Sequence, residues 1–388
     1  MSTERIVWLD WMRVAACLMV IVVHSTEPFY LGGEGSLVLT QADGLWAAAF
    51  DTCVRACVPL FVVASSYLLF PLRTSTSVFL RRRAVRILLP FAVWSVVYAI
   101  VWGSPADNFH DLLFNFNYAA GHLWFVYMLV GLYLLMPLLS GWAERVERRE
   151  LLFYIGLCLF TTLIPLLRDW LSPGVPPMTY GPSGIPAPAH YPLWGEASWN
   201  TYGLFYYFSG FMGYLLFGLY LRRFVGTLSW SRTLAIALPA WALGFAITFG
   251  GFVRRLAMTA SAGYPVEGPV DMAVWWETTW TNDTIGVALM TIGWVLLWRR
   301  CTAAGTFYRR LLVPVSRASY GMYLCHLLIL VYVSASVRDV LGTGTQGLLG
   351  LWTTPAEIII SAILTFLVAA IACTLLQRLP RIGKWIVG

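Results

Sequence analysis

The chain has 388 residues, of which 59% are hydrophobic and only 12% are charged, and its formal net charge is +7. Soluble domains carry about twice this share of charged residues. The composition therefore excludes a soluble nucleotide-binding enzyme, a secreted disulfide scaffold and a disordered chain. A polytopic membrane protein remains, and at about 20 residues per spanning helix the chain has room for about ten helices.

Ten long apolar runs follow one another along the chain, and they lack the alternating pattern that is typical of membrane β-strands. We therefore predict an all-α polytopic integral membrane protein with about ten transmembrane helices. The domain is expected to cover residues 1–388, without a separate soluble domain. The predicted spans are 6–29, 44–70, 87–103, 122–142, 151–167, 202–221, 233–253, 284–298, 318–337 and 355–379.

The basic residues predict the orientation of these spans. With the N-terminus on the inside, 20 of the 26 Lys and Arg residues fall at the inner ends and inner loops. Basic loops stay on the cytoplasmic side of a membrane, so we expect both termini in the cytoplasm. The positive net charge then reflects topology, and no aromatic-basic motif indicates nucleic-acid binding.

The first span carries three ionisable residues, Arg13, His24 and Glu27. Arg13 and His24 are close to three helical turns apart, so they share one face at a separation of about 16 Å. Glu27 follows His24 by one turn, where its carboxylate can accept a hydrogen bond from an imidazole nitrogen. Ionisable groups inside a membrane are costly and indicate function, so we predict catalytic roles for all three. The alternative is a histidine satisfied by a neighbouring helix.

Asp51 in the second span has two interpretations. It lies one turn before Arg55, and an ion pair between them would be purely structural. Asp51 can also face His24 and orient its ring, so it is included among the catalytic candidates.

Three arginines, Arg82, Arg83 and Arg86, lie within about one turn at the inner membrane surface. Guanidinium groups bind phosphate in a bidentate manner, which makes the three arginines candidates for binding an anionic substrate. Basic residues at this position also anchor helices to anionic lipid headgroups, and both interpretations remain open.

The fourth span begins on the outside with His122, Trp124 and Tyr127, at the expected depth of His24. These residues line a substrate passage or belong to the interfacial belt of aromatic side chains.

The ninth span carries a polar stripe of Ser319, Tyr320, Tyr323 and His326. Its helical spacing indicates a polar passage or hydrogen bonds between helices. We predict no metal ion, since there is neither an HExxH motif nor a cysteine cluster.

Short motifs from six regions occur in one order along the chain. They are Trp8-Leu-Asp10-Trp-Met-Arg13 leading to His24, Val58-Pro59-Leu60-Phe61, Arg83-Ala-Val-Arg86 leading to Pro90, His122-Leu-Trp124-Phe125, Phe208-Ser-Gly210-Phe-Met-Gly213 and Ser319-Tyr320-Gly-Met-Tyr323-Leu-Cys-His326. This ordered set resembles the membrane acyltransferase 3 family, and the bacterial glycan O-acetyltransferases, including the enterobacterial common antigen type, are most similar. One departure is Ser65-Ser66, where the family often has Ser-Gly.

The resemblance implies a multi-pass O-acyltransferase, expected to be an O-acetyltransferase, in the bacterial inner membrane. It implies transfer from cytoplasmic acetyl-CoA, or another acyl-CoA, to a hydroxyl of an extracytoplasmic or lipid-linked glycan. His24 would be the catalytic histidine with Arg13 as its partner in the motif, and the arginines at 82, 83 and 86 would bind the CoA phosphates. The alternative function is a transporter or flippase that uses the intramembrane groups as a proton relay.

Overall fold

The computed structural model describes residues 5–32, 35–102, 120–172, 178–180, 186–188, 193–197, 200–380 and 382–388. This part of the chain is predominantly helical, which confirms the predicted all-α class. Its helices are α1 (Val7–Thr26), α2 (Gln41–Val54), α3 (Cys57–Leu69), α4 (Thr76–Arg83), α5 (Leu89–Val101), α6 (Trp124–Arg145), α7 (Arg148–Thr161), α8 (Ile164–Leu171), α9 (Met212–Phe224), α10 (Trp230–Thr259), α11 (Val270–Trp276), α12 (Ile285–Trp298), α13 (Val313–Leu341), α14 (Thr353–Leu376) and α15 (Ile382–Ile386).

Within the described residues, eight helical stretches are long and apolar enough to cross a membrane. They are Val7–Phe29, Gln41–Leu69, Thr76–Val101, Gly121–Arg145, Arg148–Leu171, Trp230–Ala262, Tyr308–Gln346 and Gly350–Leu376. The two other predicted spans contain shorter helices, because α9 has 13 residues and α12 has 14. Each rises only about 20 Å. Before α9 the chain forms a 3-10 helix, Gly203–Phe208, and turns at Gly210, whose φ of +69° favours glycine.

Prolines divide two of the long stretches. A short break separates α2 from α3, and Pro59 lies in the first turn of α3. Proline has no N–H with which to bond the carbonyl four residues earlier, here that of Arg55, so the helix is interrupted. Pro165 lies just after the break between α7 and α8. At that break the Thr162 carbonyl accepts a hydrogen bond from the Ile285 N–H of α12, at 2.9 Å.

Two long helices begin with a wide π-helical turn that ends just before a proline. Ala84–Leu88 precede Pro90 at the start of α5, and Tyr308–Leu312 precede Pro314 at the start of α13. In an α-helix the proline ring would clash with the carbonyl four residues earlier, and the wider turn relieves that clash. Both turns lie at the basic end of the bundle, and the first contains Arg86.

Helix α1 lies at the centre of the bundle, in contact with α2, α3, α12, α13 and α14. The neighbouring helices α13 and α14 run antiparallel to each other. Cys325 Sγ of α13 lies 3.7 Å from Cys373 Sγ of α14, without a disulfide, and Arg338 pairs with Glu357 at 2.7 Å. Since α1 is enclosed by its neighbours, its ionisable residues face protein rather than lipid.

A small antiparallel sheet covers the end of the bundle opposite to the basic end. Its strands, in spatial order, are β1 (Leu31–Gly32), β2 (Gly35–Val38) and β5 (Val266–Gly268). A separate hairpin pairs β3 (Met178–Tyr180) with β4 (Pro186–Pro188). Because β1 follows α1 after the single 3-10 turn Glu27–Phe29, the three-stranded sheet fixes the C-terminal end of the central helix.

We expect Gly244→Ala to destabilise the protein, because Gly244 permits a close approach of α10 to α12. A Cβ built at this position lies 2.4 Å from the backbone oxygen of Gly286. Overpacking of this kind costs about 1–3 kcal/mol, so the melting temperature of the purified protein should fall by several degrees. A Cβ at Gly250 on the same helix meets nothing within 4 Å, which makes Gly250→Ala the matched control. Equal melting temperatures for the two variants would contradict the close packing of α10 and α12.

Candidate active site

Three histidine rings from separate parts of the chain meet inside the bundle, and we call them the histidine cluster. His24 lies in the last turn of α1, His122 in the 3-10 turn before α6, and His326 near the middle of α13. The ring centroid of His326 is 5.1 Å from that of His24 and 5.1 Å from that of His122. The His24 and His122 centroids are 6.3 Å apart. In the described chain, no group of three or more His, Cys, Asp or Glu side chains is arranged to hold a metal ion.

His24 forms the hydrogen bond with Glu27 that its sequence position predicted. The His24 Nδ1 and Glu27 Oε1 atoms are 2.7 Å apart. A carboxylate accepts, so Nδ1 carries the hydrogen, and in the uncharged ring the lone pair is on Nε2. The side chains of His24 and Glu27 are 18% and 33% exposed, so the pair is accessible at the outer end of α1. A carboxylate orients a catalytic histidine in the same way in hydrolases.

The other two histidines are more deeply buried. The His326 side chain is fully enclosed, and its Nδ1 lies 2.6 Å from the Tyr323 carbonyl. A carbonyl only accepts, so Nδ1 donates this hydrogen bond. Within the described residues, the His326 Nε2 and both ring nitrogens of His122 have no hydrogen-bond partner. A buried polar atom without a partner costs about 1–3 kcal/mol, and these nitrogens are therefore available to a ligand or to water.

Two adjoining cavities lie at the basic end of the bundle. The first, which we call the arginine cavity, has a volume of about 520 Å³, and its lining includes Arg5, Arg13, Arg86 and Arg317. The second, which we call the tyrosine cavity, has a volume of about 210 Å³, and its lining includes Tyr133, Tyr320 and Tyr323. The residues that line both cavities are Arg13, Leu68, Arg86, Ser316 and Arg317. The tyrosine cavity continues toward the histidine cluster between Tyr133, Tyr320 and Tyr323.

The wall that the two cavities share is strongly basic. Within the described chain, no carboxylate pairs with Arg13, Arg86 or Arg317. The arginine cavity has one acidic residue in its lining, Asp10, and Arg5 already binds it at 2.6 Å. Guanidinium groups with open donors bind anions bidentately, so the arginine cavity is a candidate site for a polyanionic substrate.

Two of the three predicted phosphate-binding arginines line these cavities. Arg86 lines both, and Arg83 lines the tyrosine cavity with its guanidinium 5.7 Å from the Phe79 centroid and 5.8 Å from the Tyr133 centroid. Arg82 does not join them, since it is exposed and lines neither cavity. Successive residues of a helix point about 100° apart, so Arg82 and Arg83 face different directions.

Arg13 lies in the cavity wall and not beside His24, because the two share one face of α1 but are three turns apart. This assigns Arg13 to the basic end of the site and not to the histidine cluster. Arg317 was not predicted, since in the sequence it counts only toward the positive charge of the inner loops. The sequence feature that could have indicated Arg317 as a cavity residue is its position one turn before Tyr320, within the polar stripe of α13.

The polar stripe of α13 both bridges helices and lines a cavity. The Tyr320 hydroxyl donates to a carbonyl of the π-helical turn before α5 at 2.8 Å, and the Tyr323 hydroxyl donates to the His122 carbonyl at 2.5 Å. Ser319, Tyr320 and Tyr323 also line the tyrosine cavity. His326 lies beyond the cavity, in the histidine cluster.

The tyrosine cavity ends one aromatic ring short of the histidine cluster. The ring of Tyr323 closes this end, with its centroid 5.9 Å from those of His122 and His326. The Phe125 ring packs against it at 5.1 Å. None of the three histidines lines either cavity, so a ligand in the tyrosine cavity has to displace one of these rings to reach them.

Trp124 and Tyr127, which were predicted to line a substrate passage, line neither of the two cavities. Their side chains are 40% and 43% exposed. The buried face of α6 carries Phe125, Leu129 and Tyr133, at a spacing of four residues. Trp124 and Tyr127 fall outside this helical stripe, and their rings pack against Phe211 and Phe91, respectively.

Asp51 forms the structural ion pair and does not contact His24. Both carboxylate oxygens accept hydrogen bonds from Arg55, one of them from Nη2 at 2.9 Å, and Thr26 Oγ1 donates to Oδ2 at 2.9 Å. The Arg55 guanidinium lies 4.6 Å from the Trp280 centroid. Asp51 therefore ties α2 to the outer end of α1, and the catalytic assignment of Asp51 is withdrawn.

We expect Asp51→Asn to destabilise the protein, because the variant leaves the enclosed Arg55 charge without its counterion. Removing one partner of a buried ion pair costs about 3–5 kcal/mol, which should lower the melting temperature of the protein in detergent. Glu27→Gln is the matched control, since Glu27 is one-third exposed and among the described residues its ion-pair partner is His24. Equal melting temperatures for the two variants would show that the Asp51 pair has no structural role.

Comparison with known proteins places the chain in a family. The family model described as an acyltransferase domain matches residues 6–374, nearly the whole chain. No curated protein and no solved structure matches the chain. The matched region includes the histidine cluster, the whole lining of the tyrosine cavity, most of the lining of the arginine cavity and almost all of the helical bundle. The chain therefore belongs to the acyltransferase 3 family of membrane acyltransferases.

Proposed function

We propose that this acyltransferase moves an acetyl group from acetyl-CoA on the cytoplasmic side to a hydroxyl of a glycan on the outer side of the bacterial inner membrane. The observation that carries the proposal is the arrangement of α1. Arg13 at one end of its polar face lines a basic cavity, and His24 with Glu27 lies at the other end. A polyanionic donor fits the first end, and an alcohol fits the second.

The donor end is supported by charge and by position. CoA carries several phosphate charges, and Arg13, Arg86 and Arg317 surround the cavity without counterions among the described residues. This end of the bundle also holds most of the basic residues of the chain, which supports a cytoplasmic location for the arginine cavity. Acyl-CoA is present in the cytoplasm, so the donor and its cavity are on the same side.

The tyrosine cavity suits the uncharged arm of the donor. It leads from Arg13 to Tyr323 and combines apolar side chains with the hydroxyl groups of Ser65 and Ser319. The distance of about 16 Å between Arg13 and His24 along α1 is comparable with an extended pantetheine arm. Movement of the Tyr323 ring would then let the thioester reach the histidine cluster.

His24 would perform the chemistry. Its Nδ1 is held by Glu27, so Nε2 presents a lone pair that can act as a general base or as a nucleophile. The Glu27 carboxylate would stabilise the positive charge that the ring acquires in either case. The partial exposure of His24 and Glu27 would allow the hydroxyl of a glycan to approach from the outer side.

We expect His24→Asn to abolish acyl transfer. The purified protein in nanodiscs is mixed with radiolabelled acetyl-CoA and with membranes from a strain that lacks this chain, and both CoA release and labelled glycan are measured. The variant should lose at least about 10²-fold in rate at an unchanged melting temperature. Full activity of His24→Asn would overturn the catalytic assignment. A pH-driven flux without CoA release in the unaltered protein would instead indicate a transporter.

We expect the double variant Arg83→Ala, Arg86→Ala to raise the KM for acetyl-CoA, because it removes two guanidinium groups from the cavity walls. A loss of two charge-assisted hydrogen bonds, at about 1.5–3 kcal/mol each, corresponds to a KM increase of at least about 100-fold. Arg82→Ala is the matched control, since Arg82 is exposed and lines neither cavity. Equal KM values for the double variant and the control would show that Arg83 and Arg86 do not bind acetyl-CoA and serve only the membrane topology.

A further inference from the structure

His326 is the most enclosed member of the histidine cluster, and the mechanism above leaves it without a role. Its side chain is fully buried, and its ring centroid lies 5.1 Å from that of His24. Nδ1 donates to the Tyr323 carbonyl at 2.6 Å, so the uncharged ring presents a lone pair on Nε2. This Nε2 has no partner within the described residues.

The enclosed lone pair on His326 Nε2 is stabilised only if a hydrogen-bond donor is placed beside it. The Tyr323 hydroxyl is already committed to the His122 carbonyl, and no hydrogen bond joins the rings of His122 and His326. The group that fits Nε2 is therefore an O–H from outside the protein, supplied by water or by a ligand. In the proposed reaction, the ligand with such a group is the acceptor alcohol.

We propose that the reaction is a double displacement, in which His24 receives the acyl group and His326 is the base that activates the acceptor hydroxyl. This inference rests on the proposed function. Its physical reason is that an acyl group on His24 Nε2 occupies the only lone pair that His24 can offer while Nδ1 is held by Glu27. A second lone pair is then needed for the second half of the reaction, and His326 provides one in ring contact with His24.

The two halves balance without a further reactant. In the first half, His24 Nε2 attacks the thioester carbonyl, the C–S bond breaks, and CoA leaves as a thiolate while Glu27 offsets the charge of the acyl-imidazolium. In the second half, the alcohol oxygen attacks the acyl carbon and its proton passes to His326 Nε2. The C–N bond breaks and returns the lone pair to His24. His326 releases its proton to solvent and the thiolate takes one up, so thioester and alcohol become thiol and ester.

The test separates the two halves. The first half is measured as exchange of label between free CoA and acetyl-CoA without acceptor, and the second as transfer to the membrane glycans of a strain that lacks this chain. His326→Asn keeps an amide N–H near the position of Nδ1 and removes Nε2. We expect this variant to retain exchange within about threefold and to lose at least about 10²-fold in transfer. His24→Asn should lose both.

Hydroxylamine provides a second measurement, because it attacks an acyl-imidazole without help from a base. His326→Asn should therefore form acetyl hydroxamate as fast as the unaltered protein. Retained exchange also shows that the variant is folded, and His326→Gln is the second variant if His326→Asn does not fold.

Three results would overturn the inference. They are an absence of exchange in the unaltered protein while transfer to glycans proceeds, a parallel loss of exchange and transfer in folded His326 variants, and normal transfer in those variants. An unaltered protein that turns over no acetyl-CoA in any of these assays would refute the proposed function itself.

Discussion

An ionisable side chain inside a membrane needs a polar partner or a polar cavity, because hydrocarbon offers neither water nor hydrogen bonds. This constraint explains why α1 is the central helix. Arg13 and His24 occupy one of its faces, and the helix is surrounded by α2, α3, α12, α13 and α14. The contacts on all sides keep both side chains within the protein and away from lipid.

Interruptions in the helices supply the rest of the polar environment. The break before Pro59 lies beside Arg55, which pairs with Asp51, and Asp51 accepts a hydrogen bond from Thr26 of α1. The π-helical turn before Pro90 contains Arg86 and lies in the wall of both cavities. In both places the proline disturbs regular hydrogen bonding, and a charged side chain occupies the disturbed region.

The two ends of the site are separated by a thin layer of aromatic rings. The basic cavities end at Tyr323, and the histidine cluster begins on the other side of that ring. A closed layer of this kind keeps water in the arginine and tyrosine cavities away from His24. In the proposed reaction it would therefore limit hydrolysis of the thioester and restrict transfer to the moment at which the Tyr323 ring moves.

The sequence by itself determined the all-α membrane class, the family and the pairing of His24 with Glu27, since each depends on composition, on the order of motifs or on local spacing. It also indicated Arg83, Arg86 and the polar stripe of α13. Only the tertiary structure decided that His122 and His326 meet His24, that Asp51 pairs with Arg55, and that Trp124, Tyr127 and Arg82 line neither cavity. Contacts between distant helices depend on which faces pack together. The helical period of a sequence identifies the polar face of a helix, but it does not identify the helix that packs against that face.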